Sequence, residues 1–167
     1  NTPGTNWTTA SVTSMRQVFD GATVFNQDIN DWDTSQVVDM SGMFMFASDF
    51  NNLNKPRLNW DVNKVTNMRS MFAHTKTFNQ DIAANGIYWN TSTVRDMTAM
   101  FKHADKFNKD ISNWNTSTVT SMIEMFLNAK VFNQDLGNWN INQVATSTAS
   151  VPPVGGNPIY AGDLLFA

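Results

Sequence analysis

Residues 119–140 read VTSMIEMFLNAKVFNQDLGNWN, and the same phrase, with drifting polar letters, is spelled five times along the 167-residue chain. Val119, Met122, Met125, Phe126 and Ala129 stand at offsets 0, 3, 6, 7 and 10. The set returns at Val12, Met15, Val18, Phe19 and Ala22, and again from Val37, Val65 and Val94. That spacing fits one face of an α-helix. Thr and Ser pairs precede the valine (Thr34 and Ser35, Thr91 and Ser92, Thr116 and Ser117), which suits helix N-caps. Five short amphipathic helices are therefore expected. After each comes a second phenylalanine (Phe25, Phe50, Phe78, Phe107, Phe132) opening NQDI or a variant, a segment long enough only for a short strand or extended turn beside its copies.

The six tryptophans, Trp7, Trp32, Trp60, Trp89, Trp114 and Trp139, all hold one slot, at intervals of 25, 28, 29, 25 and 25 residues. A period of this length marks stacked supersecondary units that cannot bury an apolar face alone. The expected fold class is α/β: a leucine-rich-repeat-like solenoid of about five helix plus short-strand coils over residues 1–144, the coils beginning near the six tryptophans. Every methionine except Met45 and every phenylalanine except Phe46 and Phe166 falls on a recurring slot, so this stripe reads as core, not as an adaptable Met-rich groove. From residue 145 the pattern decays: Ser147 and Ser150 take the methionine slots, and Pro152, Pro153 and Pro158 preclude a helix. Residues 145–167 are expected to form a C-terminal cap or a linker.

Composition narrows the function. A net charge of −3 with scattered basic residues gives no footprint for nucleic acid, and no apolar run is long enough for a transmembrane segment. With no cysteine, one glutamate (Glu124) and two histidines, no nucleophile constellation or phosphate loop can be assembled, so the chain reads as a non-enzyme without cofactor. The other 13 acids are aspartate, whose short side chain favours caps and turns.

Two repeats are longer than the rest, both between the second Phe and the Trp: NNLNKPRLN after Phe50 and NQDIAANGIY after Phe78. Insertions at equivalent positions of consecutive coils emerge on one side of a stack, where binding loops are common, although surface loops also tolerate insertion at little cost. Lys55, Arg57, Asn85, Ile87 and Tyr88 are the binding candidates, with Arg57 and Tyr88 the residue types favoured at binding centres.

The five phrases, with MF, FNQD and WxTS in register, resemble the 25- to 26-residue DUF285 or BspA-like leucine-rich bacterial surface-protein repeat over residues 6 to about 144. The resemblance implies a leucine-rich-like solenoid at a cell surface or in secreted proteins, such as mycoplasma lipoproteins. It further implies adhesion or binding to a protein or surface glycan, and no catalytic residues. The rival expectation is a structural subunit that docks or self-assembles through its solenoid ends and tail.

Three further columns invite chemistry. Asp28, Asp81, Asp110 and Asp135 share one slot and could line up oxygens for calcium, although an Asn and Asp ladder serving turn amides is the commoner use, and Leu53 or Asn54 takes the slot in the second repeat. His74 and His103 lie two residues after the first phenylalanine of adjacent repeats; a helix spacing of about 8 to 10 Å would leave them as two separate solvated side chains, too far apart to share zinc. The Thr and Ser repeated after tryptophan could instead form a hydroxyl ladder, but capping explains them.

Overall fold

The computed structural model describes residues 7–82 and 89–144. Among them the expected helices are absent. The one helical turn is Asn52–Asn54, inside the first insertion. The repeats meet through isolated parallel bridges, Ser14 with Asp39, Asp39 with Asn67, Asn67 with Asp96 and Asp96 with Ser121. The chain is mostly coil around a large buried aromatic cluster, and the expected α/β solenoid of helix and strand is thereby corrected.

The third repeat shows why. Met68, Ser70, Phe72 and His74 donate their amides to Asp96, Thr98, Met100 and Lys102 of the next repeat, at 2.7–2.9 Å. The amides between them stay local: Met71, Ala73 and Thr75 bond to the carbonyls three residues back, and Arg69 to the Asn67 Oδ1. Eight consecutive backbone donors are thus accounted for without one helical i→i−4 bond. Reversing the chain between them requires left-handed residues, and these recur as two columns with φ of 54° to 70°. One is Gln17, Gly42, Ser70, Ala99 and Glu124; the other, four residues on, is Gly21, Phe46, His74, His103 and Asn128. Each non-glycine member costs about 1 to 2 kcal/mol against a right-handed conformation, which the inter-repeat hydrogen bonds offset.

This arrangement also explains the abundance of aspartate. Asp39, Asn67 and Asp96 each turn a side-chain oxygen onto the amide two residues on, at 2.8–3.0 Å. Asp33, Asp61, Asn90, Asn115 and Asn140, after the tryptophans, do the same. The shorter aspartate or asparagine side chain suits this Asx turn.

In the second and third repeats the positions expected to face inward do so: Val37, Met40, Met43, Phe44 and Ala47 are fully buried, as are their counterparts in the third, whereas Val18 of the first repeat is 41% exposed. Because adjacent coils are joined by backbone hydrogen bonds, their aromatic rings form ladders. Phe19, Phe44, Phe72, Phe101 and Phe126 stack at 5.4–5.7 Å, and Phe25, Phe50, Phe78, Phe107 and Phe132 at 5.8–5.9 Å. Within a repeat the two phenylalanines stack at 3.8–4.1 Å. Trp60, Trp89 and Trp139 close the cluster, their indole N–H groups donating to the carbonyls of Ile29, Leu58 and Ile111.

The threonines are ladder rungs, which corrects the capping expectation. Thr34, Thr91 and Thr116 hydroxyls donate to the carbonyls of Asp61, Asn115 and Asn140 one repeat on. Asparagine forms a second ladder: Asn26, Asn51, Asn79 and Asn108 each accept, through Oδ1, the amide of the next asparagine in the column.

The left-handed columns give a test that separates these turns from helices. At Ala99 (φ 54°), Ala99→Gly is expected to be neutral or to stabilise by up to about 1 kcal/mol, whereas glycine inside a helix costs about that much. Ala99→Val is expected to destabilise by about 2 kcal/mol, because a β-branched side chain is poorly tolerated at positive φ. Urea melts of the two variants read the difference.

Candidate functional site: a groove across the turn face

Of the binding candidates singled out by sequence, Lys55 and Arg57 lie among the described residues. Lys55 is exposed and paired with Asp28, at 3.2 Å. Arg57 is half-buried and bridges Asp81 through the backbone, with Leu58 fully buried in the slot held elsewhere by Ile29, Ile82 and Ile111. The register therefore gives the aspartate slot of the second repeat to Arg57, not to Leu53 or Asn54, because the inserted residues bulge out before it. Asn85, Ile87 and Tyr88 lie outside the described residues, as does the segment 145–167.

Three members of the aspartate column are engaged in their own turns: Asp28, Asp110 and Asp135 accept the amides of Asn30, Ser112 and Gly137. Asp81, the fourth, has its backbone bound to Pro56 and Leu58. The bonds from Ser112, backbone first and then hydroxyl, hold the Asp110 carboxyl below its ordinary value. Among the described residues no three acidic or histidine side chains converge on a point that could hold a metal ion.

The histidines correct another expectation. With repeats joined at hydrogen-bonding distance, the His74 and His103 rings stack at 4.5 Å, and Phe46 stacks on the other face of His74 at 4.4 Å. Burial first, then the neighbouring His103 and Lys102, lowers the His74 pKa below 6.5. Above 6.5 the ring is neutral in folded and unfolded chains alike. As pH falls below that value the unfolded chain takes up the proton first, so stability is lost down through the lowered folded pKa. Denaturant midpoints measured across this interval are expected to fall with pH, and less so in His74→Asn, which places there the residue that the fifth repeat carries as Asn128.

Beside this ring stack runs a groove that sequence reasoning missed. Its first part, about 200 Å³, lies among Arg16, Gln17, Ser41, Gly42, Met45, Arg69 and Ser70. A second part of about 460 Å³ shares Met45, Arg69 and Ser70 and continues past Phe46, His74, Ala99 and Lys102 to Glu124. Gly42, Ser70 and Ala99 are successive members of one left-handed column, and their small side chains leave the trough open. Its walls combine rings with charge. Arg69 lies 3.8 Å from Asp96 with more than half of its side chain exposed, and Lys102 pairs with Glu124. Met45 and Phe46 are the signal that could have found it: each is large, apolar and off its recurring slot, and Phe46 is 46% exposed.

A family model described as Mycoplasma protein of unknown function, DUF285, matches residues 1–87 and again 52–151. No curated protein and no solved structure matches the chain.

Proposed function

The chain belongs to the DUF285 family, and from that premise we propose that it is a non-enzymatic recognition or adhesion module, displayed outside the cell or at its surface, that binds a protein or a surface glycan along its groove. The observation that carries this reading is the coincidence of Phe46 and Met45, the methionine and phenylalanine off their slots among the described residues, with Arg16 and Arg69 in one depression crossing several repeats. An aromatic edge beside unburied guanidinium groups is the composition of binding surfaces, not of a surface that needs only to be soluble. The groove also displaces the insertion rim as the first place to look, since Lys55 is already paired and Leu58 is buried.

The test is binding of the purified chain to immobilised matrix proteins and to a panel of surface glycans. The double variant Phe46→Asn/Arg69→Ser should weaken binding at least tenfold, while Lys55→Ser should leave it unchanged. Loss of binding in Lys55→Ser alone would move the site to the insertion. A wild-type chain that bound nothing on either panel would overturn the recognition reading.

A second reading, assembly into a larger structure, is favoured by the ends of the stack. Over the turns that begin at Met15 and at its counterparts the inter-repeat bonds run from amide to the next repeat's carbonyl, whereas just before them Val38, Thr66, Arg95 and Thr120 donate back to the preceding repeat. The amides of Met122, Glu124, Phe126 and Asn128 therefore find no acceptor among the described residues. At the opposite end the Ser14, Arg16, Val18 and Asp20 carbonyls find no donor among them. Donor and acceptor edges are complementary for self-association. A mass by light scattering that rises with concentration supports this reading, and a constant monomer mass opposes it.

A further inference from the structure

The ring stack on the turn face stops one place short of the first repeat. Its column is Gly21, Phe46, His74, His103 and Asn128. Among the described residues Phe46 has a ring partner on one side only, His74. On its other side the register places Gly21, whose amide donates to Met45. Gly21 offers no side chain, and a Cβ built there would meet nothing within 4 Å. The consequence is an open slot, one ring wide, over the bare face of Phe46.

The slot has polar borders. Asp20 adjoins Gly21 in the chain, and its carboxylate holds the Gln17 amide group at 3.4 Å. Gln17 in turn lies in the same depression as Arg16 and Arg69. Asp20 and Gln17 together present the acceptors and donors that fix sugar hydroxyls, and the two guanidiniums can take a carboxylate in bidentate fashion.

We propose that this slot binds a pyranose ring of an acidic polysaccharide, the sugar face lying on Phe46 over Gly21 and its carboxylate held by Arg16 and Arg69. This rests on the recognition reading and specifies its ligand class. A sugar fits better than an acidic peptide because the slot continues a ring stack and has hydrogen-bonding side chains at its edge; a peptide carboxylate would use the guanidiniums but leave the Phe46 face bare. A flat ring seated against a stack of rings gains contact area without requiring the protein to move.

The experiment is calorimetry of the chain with hyaluronan oligosaccharides, with maltohexaose as the uncharged ring control and poly-glutamate as the anion control. The most informative variant is Gly21→His. It fills the slot with the residue that the column already carries as His74 and His103 at the same left-handed φ, so the fold is retained and the ring stack lengthens. Gly21→His and Phe46→Asn should each weaken hyaluronan binding at least tenfold, as should Arg16→Ser/Arg69→Ser, and maltohexaose and poly-glutamate should bind at least tenfold more weakly than hyaluronan. Hyaluronan binding that survives Gly21→His, or that poly-glutamate equals, would overturn the sugar slot. If hyaluronan fails to bind while a protein ligand still engages the groove, the slot inference falls and the recognition reading stands.

Discussion

Replacing Phe101 with alanine will destabilise the protein by about 4 kcal/mol, the upper range for a buried aromatic truncation. Phe101 is fully buried and sits in the middle of a ladder, stacked on Phe72 at 5.7 Å and Phe126 at 5.6 Å, with Phe107 against it at 4.0 Å and Trp114 tilted at 6.3 Å. Truncation leaves four rings facing a void. The backbone cannot close in, because the residue's own amide and those of Ala99 and His103, two residues away on either side, are tied to the fifth repeat; the Phe101 amide donates to Met125 at 2.8 Å. Urea denaturation followed by tryptophan fluorescence measures the loss. A cost below about 1 kcal/mol, the scale of a surface substitution, would mean that the ladder does not form a continuous core.

The second large effect is polar. Asn51→Leu should cost about 3 kcal/mol, because each buried group left without a partner costs about 1 to 3 kcal/mol. The Asn51 Oδ1 accepts both the Asn79 amide, at 2.9 Å, and the side-chain amide of Gln80, at 2.8 Å, and Gln80 is itself buried. Leucine matches the volume and takes this acceptor from both donors at once, leaving the Gln80 side-chain amide only the Asn51 backbone carbonyl, at 2.9 Å. Asn51→Asp retains an acceptor in the same place and should lose less than half as much. Equal losses in the two variants would show that packing, not the ladder, is what the asparagine supplies.

The two variants divide what the sequence made legible from what it hid. Phe101 belongs to the inward set, which was readable because a ladder demands the same residue type in each repeat, whatever the backbone does. The backbone itself was not readable from that set. Successive turns three to four residues long return the chain to one face about as often as a helix does, so offsets of 0, 3, 6, 7 and 10 satisfy both. The distinguishing signs were polar and small: Asp39, Asn67 and Asp96 two residues after the valine, and Gly21, Gly42 and Asn128 at left-handed positions. The asparagine ladder was foreseen as a use for stacked polar residues; the threonine rungs were mistaken for caps, since either role puts a hydroxyl just before the valine.

The same error of spacing explains what happened to the candidate sites. Helices packed about 8 to 10 Å apart would separate His74 from His103; coils joined by backbone hydrogen bonds stack the rings and put Phe46 on top of them. The groove was invisible because it is made from the solvent side of those turns, by the smallness of Gly42, Ser70 and Ala99 and by Phe46 as a departure from the repeat. In a repeat protein the departures from consensus at exposed positions carry the functional information, while the consensus describes the core.

Each repeat is built from turns whose alternate amides bond to the next repeat. Scalar coupling across hydrogen bonds in isotopically labelled protein reads the partner of a single amide directly. The Phe72 nitrogen is predicted to couple to the carbonyl carbon of Met100, 2.9 Å away by N to O and 28 residues on in sequence. A coupling to the carbonyl of Met68 instead, the i→i−4 partner in an α-helix, would mean that the repeat is helical and not built from these turns.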